Sequence, residues 1–253
     1  MDDKTYKSNR ERTIEYLQNF TREKVLKKLV NSETPTLIDV GANFGQTIEF
    51  FMSNWPKAKI IAFEPQHECL DILNSIKEKF SWADIQIILK ACGNRTTTDG
   101  LKFYTHKVSS GLSGFNRINK NSEDSIKLED VRNNKINYER FVSEINHERT
   151  VQTIRLDEWL IEHNISKVDL LKIDTQGYEQ EVLEGMGEQL AKVRVVLTEL
   201  MFYDLYERSL SFSDIEKYLH KAGLKLYDIS HISKNPMNGR TDWVDVIYLN
   251  KNI

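Results

Sequence analysis

No stretch of this chain approaches the ~18 consecutive apolar residues of a membrane span. The N-terminal MDDKTYK is charged and has no apolar leader core. Cysteine is nearly absent. Cys69 and Cys92 are the two, with no C-x-x-C spacing, so a disulfide is not expected and both read as small core residues. Neither sign of charge is in excess: a net charge of −3 over 253 residues gives no global pull toward nucleic acid or an anionic membrane. Lys and Arg still total 35, which leaves room for local basic patches. Internal repeats, low-complexity tracts and linkers are also missing. A soluble, cytoplasmic protein is expected. At 40% hydrophobic composition it is long enough for one large α/β domain with a substantial core.

The G-x-G-x-x-G turn of dinucleotide dehydrogenases is absent too. In its place stands LIDVGANFG at residues 37–45. An apolar run ends in Asp39, Gly41 and Gly45 bracket a tight turn, and a helical pattern follows. A strand, a glycine turn and a helix N-terminus let a ligand approach bare backbone. Asp39 would repel a pyrophosphate and suits a ligand that carries positive charge. S-adenosylmethionine, with its sulfonium and ammonium, fits that logic.

The periodicities predict one or two amphipathic helices over 9–30, docked outside the sheet, with apolar positions at Ile14, Leu17, Val25, Leu26 and Leu29. Strands are expected at 36–40, 59–63, 85–89, 168–174 and 194–199, and helices at 44–54, 69–79, 178–186 and 212–221. Segments 224–229 and 244–249 alternate like an antiparallel pair. A short extra strand is expected at 101–104 and another at 151–156. This alternation implies a doubly wound α/β sheet, mostly parallel, with an antiparallel C-terminal strand. A helical extension over 1–34 would precede a main domain over 35–253. Within that domain a polar insertion at about 112–150 is the candidate lid or acceptor-recognition element.

Ligands of open α/β sheets bind outside the carboxyl ends of the strands. Four acids fall there: Asp39, Glu64, Asp174 and Glu199. Glu64 follows the glycine turn by roughly 20 residues, a place from which an acid accepts hydrogen bonds from ribose hydroxyls. The same residue would also serve as a neighbour of the helix start at Pro65. Asn43 and Thr47 can donate to a carboxylate held at the positive helix end, or simply pack there. Asp174, and Glu199 on the neighbouring strand, are candidate catalytic groups, with His106, His147 and His231 as alternative bases. The two acids could instead hold Mg²⁺, or Asp174 could orient the ligand's amino group. No third metal ligand is evident from spacing. Lys172 is expected to pair with an acid.

Residues 37–46, Phe63-Glu64-Pro65, TIRLDE (153–158) and LKIDTQGYEQEVLEG (171–185) together resemble the FkbM family of S-adenosylmethionine-dependent methyltransferases. The resemblance spans about residues 36–200, and K-I-D-x-x-G-x-E-x-x-V-L-x-G is its most specific part. Gln176 departs from it, standing where the family often has Glu. The resemblance implies a seven-strand, Rossmann-like class I methyltransferase sheet. It also implies O-methylation of a sugar, glycan or natural-product hydroxyl. Cofactor contacts are then expected from Asp39, Gly41, Asn43, Gly45, Thr47, Glu64, Pro65, Cys92, Ser110 and Asp174, with catalysis from Asp174, Glu199 or His147. The acceptor would be a small molecule or glycan and not nucleic acid. Rival readings are an N-methyltransferase of proteins or small molecules, an NAD-dependent oxidoreductase and a non-catalytic scaffold. A nucleic-acid amino-methyltransferase would show an N/D-P-P-aromatic turn where this chain has Asp174-Thr175-Gln176-Gly177.

Overall fold

The computed structural model describes residues 7–107, 109–122, 124, 138–236 and 238–253. Two helices open it, α1 (Asn9–Asn19) and α2 (Arg22–Val30). Then come β1 (Thr36–Val40), α3 (Gln46–Asn54), β2 (Lys59–Phe63), α4 (Leu70–Lys79), β3 (Asp84–Ile88), β4 (Ala91–Cys92) and β5 (Thr97–Thr105). The second half holds α5 (Tyr138–Glu144), β6 (His147–Ile154), α6 (Leu156–Glu162), β7 (Val168–Ile173), α7 (Glu179–Met186), β8 (Val193–Met201), α8 (Phe212–Lys221), β9 (Leu224–Lys234) and β10 (Thr241–Asn250).

Seven strands form the main sheet in the order β3-β2-β1-β7-β8-β10-β9. The first five are mutually parallel, and β10 runs antiparallel to both β8 and β9. Their centres are mostly Ile, Leu and Val because a parallel sheet is covered on both faces. One face packs Trp159 of α6, Val182 and Met186 of α7 and Leu219 of α8 against Ile38, Phe63, Leu171 and Val196. The other packs α2, Phe51 of α3 and Leu73 of α4 against Leu37, Ile60, Leu170 and Val195. A side chain buried so completely contributes about 1.5–3 kcal/mol. Among the described residues no helix is long and apolar enough to cross a membrane.

Three details differ from the sequence reading. The expected strand at 101–104 is the longer β5, and it joins β4 and β6 in a separate three-stranded sheet. The N-terminal helices are not equivalent: α2 buries Val25, Leu26, Leu29 and Val30, whereas Ile14 and Leu17 of α1 stay exposed. Since α2 occupies the sheet face, α1 lies beside the outer strand, where Tyr16 OH donates to Asp228 Oδ2 at 2.8 Å. Of the expected 112–150 insertion, residues 123 and 125–137 lie outside the described ones. Its later part is α5, which seats Phe141 among Ile118, Met201, Leu205 and Tyr206. Its last residues already belong to β6.

Candidate active site

The turn after β1 places three consecutive alternate residues in the left-handed region: Gly41 (φ 87°), Asn43 (φ 45°) and Gly45 (φ 80°). A Cβ on Gly41 would stand 2.0 Å from the Asp174 carbonyl oxygen, so glycine lets the ends of β1 and β7 close on each other. A Cβ on Gly45 would stand 2.6 Å from Ile76 Cδ1, so this second glycine faces α4 and not the ligand space. Helix α3 then starts with no side-chain cap. Its first amides have no partner within the helix, and Gln46 and Thr47 border a cavity of about 320 Å³.

That cavity lies at the carboxyl ends of β1, β2 and β7. Gly41, Asn43, Thr47, Glu64, Pro65, Cys92, Ser110 and Asp174 all line it, so eight of the ten expected cofactor residues share one wall. Glu64 is 2% exposed. Its Oε2 accepts the Asn43 amide at 2.7 Å and its Oε1 the Gln66 amide at 2.8 Å. Burial raises its pKa against the pull of these amides. Each oxygen keeps a lone pair for a further donor. Ser110 Oγ donates to Asn43 Oδ1 at 2.9 Å, and Gln66 Nε2 donates to the Ser110 carbonyl at 3.3 Å. Phe103 and Phe115 supply an apolar side, edge to face with centroids 5.3 Å apart. Burial raises the Cys92 thiol far above its usual range, so it is an inert part of that side.

Asp39 and Gly45 are the two expected cofactor residues outside the cavity lining. Asp39 is wholly buried, and Lys172 Nζ sits 3.3 Å from its Oδ1 and 3.3 Å from Asp174 Oδ2. Burial opposes the Lys172 ammonium, but the two carboxylates outweigh it and raise its pKa. Lys172 thus supplies a cation of the chain's own between these two strand-end acids. The second Asp39 oxygen has no partner among the described residues. Asp174 Oδ1 accepts Gln176 Nε2 at 2.8 Å, and Tyr206 OH donates to Gln176 Oε1 at 2.8 Å. Gln176 thus acts as a neutral bridge where a second carboxylate would repel Asp174. Behind this loop, Glu179 Oε1 accepts the amides of Thr175 at 2.9 Å and Gly177 at 3.2 Å. Burial pushes the Glu179 pKa up to about 7.

Glu199 borders a second cavity, of about 270 Å³, which shares Lys172 and Asp174 with the first. Burial, then Asp174 and Asp245, push its pKa up to about 8. His147 lines neither cavity; its Nε2 is buried and without a partner among the described residues. His106 accepts the Asn146 amide at 2.9 Å on Nδ1, and burial lowers its pKa to about 4. His231 lines the second cavity. Sequence reading missed Phe103, Phe115, Tyr206, Arg22 and Trp243 as neighbours of the site. The mostly apolar stretch at 101–104 signals a strand but not what Phe103 faces. Among the described residues no group of three or more His, Cys, Asp or Glu is placed to hold a metal ion.

Residues 39–226 match the Methyltransferase FkbM domain. The chain is 26% identical over 187 residues to the 2-O-methyltransferase NoeI of Sinorhizobium fredii, covering 72% of this chain and 70% of NoeI. It is 25% identical over 192 residues to the hexuronic acid methyltransferase AglP of Haloferax volcanii, covering 76% of this chain and 64% of AglP. Among solved structures it is similar to a methyltransferase FkbM from Methylobacillus flagellatus, with a TM-score of 0.52 and 13% identity. That match covers 93% of this chain and 50% of the other, and it is a likeness of fold alone.

Proposed function

The chain belongs to the FkbM family of S-adenosylmethionine-dependent methyltransferases, and from that premise we propose that it methylates a hydroxyl of a small-molecule or glycan acceptor. The observation that carries the reading is the wall of the larger cavity. Glu64, with one amide on each carboxylate oxygen, lines it beside an uncapped helix start, together with Phe103 and Phe115.

These residues fit S-adenosylmethionine group by group. Glu64 would accept the two ribose hydroxyls. The free amides of α3 would hold the methionine carboxylate, an arrangement worth about 0.3–1 kcal/mol from the helix dipole when exposed. Phe103 and Phe115 would flank the adenine. Asp174 would face the ammonium and sulfonium end, with Asp39 beneath it through Lys172. When bound, the donor supplies a methyl group already activated by its positive sulfur.

The protein's part is then alignment, which contributes up to about 7–11 kcal/mol in such reactions, and removal of one proton. Asp174 is the proposed base, because it lines both cavities. Asp174 would take the proton that the acceptor hydroxyl releases on methylation. Glu199, whose pKa is pushed to about 8, holds its proton at neutral pH and is a donor before it is a base. The described part of the 112–150 segment, through Ser113 and Phe115, closes the cavity, and we read this insertion as the part that shapes the acceptor's entry.

The test is calorimetric titration with S-adenosylhomocysteine, followed by transfer assays with Asp174→Asn. The variant removes the charge facing the ammonium, so S-adenosylhomocysteine binding should weaken by about 10- to 150-fold, and turnover at saturating donor should fall by a further factor of roughly 10²–10⁴. Undiminished turnover would remove Asp174 from the reaction. Failure of the wild-type chain to bind would remove the donor reading.

A further inference from the structure

The second cavity has a composition of its own. It lies where β7, β8, β10 and β9 end or begin, and Arg22 at the start of α2 closes one side. Sheet register builds it. Ile173 pairs with Thr198, which places Asp174 beside Glu199, while Glu199 pairs with Asp245 and Asp245 with His231. Four polar side chains on four neighbouring strands therefore share one face. Trp243, two residues before Asp245 on β10, lines the same cavity. The His231 ring packs against Trp243 with centroids 4.7 Å apart and planes at 68°.

Charge matching narrows what can bind. Arg22 is bound to Asp245, and Lys172 is held between Asp39 and Asp174. Two ionised carboxylates of the lining, Asp174 and Asp245, thus face two cations, and both cations are already paired. An anionic ring would meet no unpaired positive group among these residues and would sit beside ionised carboxylates, which costs free energy. A neutral polyol meets a different surface. Its hydroxyls find acceptors in Asp174 and Asp245. The carboxyl of Glu199, protonated at neutral pH, both donates and accepts. The Trp243 indole borders this cavity and can pack against ring C–H groups.

We propose that this second cavity is the acceptor subsite and that it takes an uncharged, hydroxyl-rich sugar ring, packed on Trp243 and hydrogen-bonded by Asp174, Glu199 and Asp245, in preference to a uronic acid or a phosphorylated sugar. The inference rests on the methyltransferase reading of the larger cavity. The two cavities meet at Lys172 and Asp174, so a hydroxyl of the seated ring lies beside the base. Arg22, which closes one side of this cavity, belongs to the N-terminal helices, outside the matched residues 39–226.

The test uses the full chain saturated with S-adenosylhomocysteine. Saturation-transfer NMR and calorimetry are run with methyl glucopyranoside, methyl mannopyranoside, methyl glucuronide and methyl glucosaminide. At least one uncharged glycoside should bind more tightly than either charged one. Trp243→Ala should weaken that glycoside roughly tenfold, as loss of a ring stack of about 1.4 kcal/mol does, and leave S-adenosylhomocysteine affinity within twofold. Trp243→Phe keeps a ring and should retain most of the glycoside affinity, which covers the case in which the alanine variant fails to fold. Tighter binding of the glucuronide or glucosaminide overturns the proposal. So does indifference of the glycoside to Trp243, or absence of glycoside binding to the loaded protein. If S-adenosylhomocysteine itself does not bind, the donor reading falls and the subsite falls with it.

Discussion

Replacing Glu64 with glutamine exchanges one oxygen of the cavity wall for an amino group and removes a charge. Glu64 now accepts the Asn43 amide at 2.7 Å and the Gln66 amide at 2.8 Å, one on each oxygen. A glutamine satisfies one of them and turns a donor toward the other. A buried donor left unpaired costs about 1–3 kcal/mol, which in a domain of this size lowers the melting temperature by about 2–12 °C. The loss to the ligand is separate. Each hydrogen bond to a charged group is worth about 1.5–3 kcal/mol, and a glutamine oxygen can still serve one ribose hydroxyl. A loss of ~2–4 kcal/mol is expected, about 30- to 1,000-fold in Kd for S-adenosylhomocysteine. Calorimetry gives the Kd, and thermal unfolding of the same sample shows that the variant is folded. A folded Glu64→Gln protein whose Kd lies within threefold of wild type would refute the ribose role.

Lys172→Met strips the partner from wholly buried Asp39 and should destabilise the chain by about 3–5 kcal/mol in urea unfolding; a loss below about 1 kcal/mol would show that the ion pair does not hold the site. Gly185→Ala would place a Cβ 2.0 Å from the Gly93 carbonyl oxygen, pushing α7 off the loop beside Cys92. A loss of roughly 1–3 kcal/mol is expected, with weaker S-adenosylhomocysteine binding, and wild-type stability would disprove the close packing. Glu179 keeps its proton up to about pH 7 in the folded state and loses it near its ordinary value of 4.5 when unfolded. The unfolded state therefore binds fewer protons between these limits, and the Glu179 contribution to stability falls as pH rises from 4.5 to 7. Glu179→Gln keeps an oxygen for the Thr175 and Gly177 amides and removes the titration, so its melting temperature should exceed that of wild type at pH 8 and converge with it near pH 4; parallel pH profiles would contradict this.

Local pattern carried the sheet. The bounds of β1, β2 and α8 are those that periodicity predicts, because buried parallel strands and an amphipathic helix write their burial into neighbouring residues. The turn at 41–45 was legible for the same reason, since its glycines answer to backbone geometry. Gly45 nevertheless looks away from the cavity, a direction that sequence does not carry. The small sheet of β4, β6 and β5 was not legible, because Ala91 meets Thr153 only after the intervening chain has folded. Lys172 was expected to pair with an acid, yet the partner that matters most, Asp39, lies 133 residues away. The aromatic wall at Phe103 and Phe115 comes from the small sheet and the loop after it, so it shared that obscurity. His147 drew notice as an ionisable residue, but strand β6 places it outside both cavities.

The position of β10 has a bearing on synthesis. It fills the gap between β8 and β9, both of which leave the ribosome before it. Until Thr241–Asn250 emerges, β8 offers a bare edge and β9 has no neighbour in the sheet. A nascent chain stalled before that point would expose Val195, Leu197 and a row of unpaired amides, the kind of edge that recruits other chains. Chaperone demand and the toxicity of truncation should therefore be greatest before Thr241–Asn250 has been made.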